Sequence, residues 1–161
     1  MSANGIRIRK ARATAPELAQ LARLFDAYRQ FYGKPPALSL ARKFLADRLR
    51  RRESVIYVAE RIADKHLVGF VQLYPIFSSV QARRSWVLND LYVEADARRT
   101  GAGKQLVEQA RLHGLSTKAA FIELATAHDN MPAQSLYESL GYVRDRDFVH
   151  YSLTLPATST G

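Results

Sequence analysis

The chain has no cysteine among its 161 residues. That excludes disulfides, thiolate zinc sites and a cysteine nucleophile. Nor does it hold an apolar run near the ~20 residues that a membrane-spanning helix needs. The opening MSANGIRIRKARA lacks the apolar core of a secretory signal, so a cytoplasmic protein without a membrane partner is expected. There is no internal repeat, low-complexity stretch or linker. Acidic residues are scarce, 15 against 24 lysines and arginines, for a net charge of +9 and a pI of about 10.1. Such a charge suits nucleic acid, an anionic surface or a polyphosphate ligand. It is dispersed, however, with Arg42, Lys43, Arg48, Arg50, Arg51 and Arg52 in one expected helix and Arg83/Arg84 and Arg98/Arg99 in separate loops. A solvated basic surface competes evenly with a specific polyanion site.

What is present is one domain's worth of amphipathic elements. Hydrophobic residues make up 47% and charged residues 24%, the balance of a globular domain. Ile6 to Lys10 alternates as a short strand. Thr14, Pro16 and Glu17 open a helix whose stripe runs through Leu18, Leu21, Leu24, Phe25 and Tyr28 and which ends at Gly33-Lys34-Pro35-Pro36. Ser39 is expected to cap a second helix. The period then changes to two: Ser54–Glu60, Leu67–Phe77 and Ser85–Val93 read as strands. A helix through Leu106, Val107 and Ala110 follows, then a strand at Phe121–Ala125 and a helix from Pro132 to Gly141. Closing strands are expected at Tyr142–Val143 and Phe148–Leu155. The pattern predicts a mixed α+β domain over residues 6–155 around one sheet, with a flexible tail at 156–161.

The segment from Val93 to Lys104 joins an apolar strand directly to an amphipathic helix. Two glycines, two arginines and the unpaired first amides of a helix build an anion site suited to a pyrophosphate. Walker A spacing fails at Arg98 and Gln105, and the dinucleotide fingerprint fails at Leu106. The spacing that fits is Arg98-x-x-Gly101-x-Gly103. It resembles the acetyl-CoA signature of the GNAT superfamily of N-acetyltransferases. Asn130-x-x-Ala133-x-x-x-Tyr137-x-x-x-Gly141-Tyr142 resembles the same superfamily's later motif. The two motifs occur in the expected order, and the resemblance covers about residues 6–155. The layout is most similar to the branch of polyamine and histone-type acetyltransferases.

The resemblance implies a central, mostly antiparallel sheet of six to seven strands with about four helices, splayed around acetyl-CoA as co-substrate. It implies that backbone groups of Leu91, Tyr92 and Val93 meet the pantetheine arm, and that Arg98, Arg99, Thr100, Gly101, Ala102, Gly103 and Lys104 hold the pyrophosphate. Tyr137 would act as general acid toward the departing thiolate, or simply pack beside Leu136 and Leu140. A reference tyrosine at pKa ~10 is a weaker acid than a thiol at ~8.5, so a hydrogen bond alone could be its contribution. Asn130 would bond the pantetheine amides or cap a helix. Asp90, inside the apolar strand WVLNDLYV, is a general base or a structural carboxylate. Where polyamine acetyltransferases carry Glu before this Asp, Asn89 stands here, and Glu123 is a fallback base. Tyr28, Phe31 and Tyr32 line an acceptor pocket or belong to the core. The histidines have no metal-ligand spacing, and no metal is expected.

The reaction implied is direct attack of a primary amine on acetyl-CoA in a ternary complex. The acceptor is a small amine or a protein amine. One rival is a non-catalytic acetyl-CoA-binding module. A nucleic-acid-binding protein using the basic helix ranks last, for want of aromatic-basic interleaving. Homodimers are common in the superfamily and are a further expectation from the resemblance.

Overall fold

The computed structural model describes residues 5–158. Its elements are β1 (Ile6–Lys10), α1 (Ala15–Phe31), α2 (Leu38–Arg50), β2 (Val55–Arg61), β3 (Leu67–Ser78), β4 (Arg83–Val93), α3 (Ala102–Ser116), β5 (Ile122–Glu123) and α4 (Met131–Ser139). One sheet runs β1-β2-β3-β4-β5 in chain order, antiparallel except for the parallel pair β4–β5.

Helices cover both faces of the sheet. On one face Leu21, Leu24 and Phe25 of α1 and Leu45 of α2 pack against Ile56, Val58 and Phe70; on the other Leu106 and Val107 of α3 and Tyr137 of α4 pack with Val71, Leu73, Trp86 and Leu88. Burial on both faces explains why β3 reads as an almost unbroken apolar run rather than a clean alternation.

Two register shifts decide what each face carries. Ala59 pairs with Gly69 but Glu60 with Leu67, so Val68 is an extra residue in β3. Gln72 pairs with Asp90 but Leu73 with Leu88, so Asn89 is an extra residue in β4. A bulge reverses the facing of everything beyond it. Trp86 and Leu88 face α3; past Asn89, Leu91 and Val93 take that face while Asp90 and Tyr92 turn toward α1.

The structure corrects the expected elements in four places. The sheet has five strands among the described residues, not six to seven. Residues 142–158 form no strand; Tyr142 packs against the core, and from Val143 onward the segment is exposed, with Val143, Phe148, Val149, Tyr151, Leu153 and Leu155 all solvated. The strand expected at Phe121–Ala125 shrinks to the two residues that pair with β4. Ser39 lies inside α2, whose N-cap is Ala37. Thr14 is the N-cap of α1 without a side-chain bond, and Gly33 ends that helix region at φ +80°. Residues 159–161 of the expected tail lie outside the described residues.

Candidate active site

The site begins where β4 and β5 part. Trp86 pairs with Ile122 and Val87 with Glu123, and the parallel ladder stops there. From Leu88 to Val93, β4 pairs among the described residues with β3 alone, so alternate backbone groups along that stretch, which includes Leu91, Tyr92 and Val93, have no strand partner on the other side.

At the end of β4 the chain turns through Ala95–Ala97 into α3. Arg98 Nε donates to the Val93 carbonyl at 3.1 Å, and the Thr100 hydroxyl donates to the Ala97 carbonyl at 2.6 Å. Arg99 and Gly101 are both left-handed, at φ +66° and +84°. Gly101 is the N-cap and offers no side chain to the first amides of the helix. Arg98, Arg99 and Lys104 are exposed around them, and Ala102 is buried beneath. A Cβ on Gly103 would come no closer than 3.8 Å to Leu136 and Val93. Packing therefore does not require glycine there. Together these features fit a pyrophosphate.

Tyr137, on α4, is buried, and its ring tilts against Tyr142 at 5.8 Å. Its hydroxyl has no hydrogen-bond partner among the described residues. Burial, with lesser contributions from Tyr32 and Tyr142, pushes its pKa up to about 12. Asn130 caps α4: its Oδ1 accepts from the Ala133 amide at 3.3 Å.

Asp90 is buried on the other face of β4. Its Oδ2 accepts from Gln72 Nε2 at 2.7 Å and its Oδ1 from Asn89 Nδ2 at 3.1 Å. Gln72, fully buried, escaped notice in the sequence. The available signal was an amide in the middle of an apolar strand, the same anomaly that marks Asp90. Tyr28 leans over this pair with its hydroxyl 3.5 Å from the Asn89 carbonyl. Burial first, then the charge of Asp90, raises the Tyr28 pKa far above its ordinary value, and the same two causes push Tyr74 up to about 12. The aromatic wall continues through Phe25, Phe70, Tyr92 and Tyr32, all within 6.5 Å of Tyr28 between ring centres. Phe31 stands outside it, exposed against Tyr32.

Not every candidate joins the site. The Glu123 side chain is exposed and makes no hydrogen bond among the described residues. His113 is a core residue between Tyr57 and Trp86, with its pKa lowered first by burial. His66 bonds Glu94 and Arg23 at the surface. In the basic helix, Asp47 holds Lys43 and Arg50 at 2.8 and 2.7 Å, and Glu53 holds Arg48 at 3.2 Å.

The chain belongs to the acetyltransferase (GNAT) family, whose model matches residues 20–142. It is an acetyltransferase. It is 44% identical over 150 residues to YhfO of Bacillus subtilis (strain 168), described as an uncharacterized N-acetyltransferase, covering 93% of this chain and 98% of that one. A crystal structure of a probable acetyltransferase superposes with a TM-score of 0.87 at 43% identity, over 94% of this chain and 99% of that one. A ribosomal-protein-alanine N-acetyltransferase from Brucella melitensis biovar Abortus shares the fold, with a TM-score of 0.78 at 20% identity over 94% of this chain and all of that one.

Proposed function

We propose that the chain transfers the acetyl group of acetyl-CoA to a primary amine, by direct attack while both substrates are bound. The observation that carries this reading is the end of the β4–β5 pairing after Val87, which leaves a strand edge open beside the first turn of α3, whose N-cap Gly101 has no side chain. The amides of Gly101 to Lys104, with Arg98 and Arg99, hold the pyrophosphate. The free backbone groups of Leu91, Tyr92 and Val93 hold the pantetheine arm, and one amide polarises the thioester carbonyl. Asn130 caps α4, which positions Tyr137.

The amine enters from the other face, over Tyr28 and Tyr92. An alkyl ammonium of pKa ~10.4 is under ~0.1% free base at pH 7, so a proton acceptor is needed. Asp90, aimed at that face by the Asn89 bulge, takes the proton directly or through a water. Gln72 and Asn89 hold its carboxylate in place by donating to its two oxygens. Tyr137 donates a hydrogen bond to the departing sulfur. With its pKa near 12, complete transfer of the proton to a thiolate of conjugate pKa ~8.5 would be uphill by on the order of 5 kcal/mol, so the hydrogen bond is the contribution.

The test is titration of acetyl-CoA by calorimetry with wild type, Gly103→Trp and Tyr137→Phe, followed by turnover on a panel of small amines and peptide amines. Binding by wild type and Tyr137→Phe but not Gly103→Trp, with turnover lost in Tyr137→Phe, supports the reading. Binding without turnover of any amine would leave a cofactor-binding module, and no binding would refute the loop assignment.

A further inference from the structure

Asp90 is one charge on the face over which the amine enters; Arg48, on α2, is another. We infer, on the reading of that face as the acceptor side, that the acceptor is an amine with a carboxylate at the far end of an apolar spacer, and that Arg48 binds the carboxylate.

The lining between the two charges follows from side-chain period. Phe70, Gln72 and Tyr74 alternate along β3 and share one face, and Phe70 packs there with the core residues of α1 and α2. Gln72 bonds Asp90 across the β3–β4 pair. Tyr74 lies two residues further on, about 7 Å from Gln72 by the rise of a strand. The walls are helical. On α1, Phe25 and Tyr28 stack with ring centres 6.1 Å apart. On α2, Phe44 stacks on Phe25 at 5.5 Å, and one turn later the Arg48 guanidinium lies over the Phe44 ring at 4.8 Å. Asp90 and Arg48 therefore border opposite ends of an aromatic lining, with Tyr74 between them. The Tyr74 hydroxyl feels both charges: its pKa is raised first by burial, raised further by Asp90 and lowered by Arg48.

Arg48 is built to take a ligand. Its side chain is only 25% exposed, and its one ion pair among the described residues runs from the buried Nε to Glu53 at 3.2 Å. Nη1 and Nη2 make no hydrogen bond among the described residues, which leaves a planar fork of donors for the two oxygens of a carboxylate. Its neighbours on α2 differ: Lys43 and Arg50 are both held by Asp47 and both well exposed.

The two ends set the substrate class. An ammonium is attracted to Asp90, but a second ammonium at the other end meets a guanidinium, in a chain that already carries +9. A diamine is thus opposed where an amino carboxylate is paired twice. An α-amino acid joins its amine and carboxylate through one carbon and does not reach past Tyr74. A spacer of several methylenes does, and it packs on the rings.

The test is turnover of the full chain with acetyl-CoA on length-matched series of ω-amino acids, alkylamines and diamines. The best ω-amino acid is expected to exceed its matched alkylamine in kcat/KM by about 10–100-fold, the range for hydrogen bonds between charged groups, with the difference mainly in KM. The matched diamine is expected to rank last. Arg48→Ala is expected to remove the preference and Arg48→Glu to turn it toward the diamine, while Arg42→Ala, exposed on the same helix, retains it. Equal turnover of amino acid and alkylamine by wild type, or a preference for diamines, would overturn the inference and leave acetyl transfer standing. So would a preference that Arg42→Ala abolishes as fully as Arg48→Ala, since overall charge would then be its source. Binding of acetyl-CoA with no turnover in any series would overturn the transferase reading and this inference with it.

Discussion

Asp90 and Tyr137 sit on opposite faces of the same strand, and each role leaves its own signature in a pH profile. For Asp90, the need for a base shrinks as the amine deprotonates itself. Asp90→Asn is expected to lower turnover at pH 7 by about 100-fold or more, with the deficit narrowing as pH approaches the acceptor's own pKa of ~10.4. A deficit constant with pH, accompanied by a lower melting temperature, would make Asp90 a structural partner of Gln72. Tyr137 should behave differently. It stays protonated throughout pH 7–10, because burial has moved its pKa to about 12. Tyr137→Phe is therefore expected to slow turnover by a constant factor over that range, about 10–100-fold for one hydrogen bond to a developing charge. An alkaline fall in wild-type rate near pH 9–10 that vanishes in Tyr137→Phe would show instead that the tyrosine titrates there.

At the scale of elements, three glycines that look alike in sequence have different reasons. Gly101 is left-handed at φ +84°, so Gly101→Ala is expected to cost about 1–2 kcal/mol of stability. Gly69 lies where a Cβ would come within 2.8 Å of the Tyr92 carbonyl, and Gly69→Ala should loosen the β3–β4 pair by about 1–3 kcal/mol. Gly103 has neither constraint. Gly103→Ala is expected to leave the melting temperature unchanged or slightly raised while weakening acetyl-CoA binding, with calorimetry and thermal melts checking the two halves. Loss of stability with unchanged binding would mean that its glycine serves the fold. The Gly101–Gly103 loop was legible in the sequence because loop, strand and helix are contiguous. The helices and the three long strands were legible by period. The bulges at Val68 and Asn89 were not, since a bulge exists only relative to a partner strand's register, and with them went the facing of Asp90 and its bond to Gln72. The closing strand was misread for a related reason: Phe148–Leu155 has a strand's alternation, but alternation does not supply a partner, and the segment pairs with no strand among the described residues.

For the whole molecule, the buried tyrosines predict how stability ends at high pH. Tyr137 and Tyr74 are both raised to about 12 when folded, against about 10 in an unfolded chain, with burial the main cause in each. A group whose folded pKa is raised contributes stability fully present below the unfolded value. That contribution is lost as pH rises through the folded one. Denaturant midpoints should therefore hold steady from neutral pH to about 10 on this account and then fall between 10 and 12. Loss of lysine charge in the same range weakens surface ion pairs such as Lys43–Asp47 but also relieves the repulsion of a chain at +9, so the bare curve does not isolate the tyrosines. Tyr137→Phe does. It keeps the ring in its place against Tyr142 and removes only the ionisable hydroxyl, which has no hydrogen-bond partner among the described residues. Its midpoint is expected to match wild type at pH 8 and to exceed it near pH 12, by up to roughly 3 kcal/mol in stability for a two-unit shift. Parallel curves for the two proteins would mean that the Tyr137 hydroxyl is in contact with water in the folded state, and that the gap between β4 and β5 is wetter than its apolar walls imply.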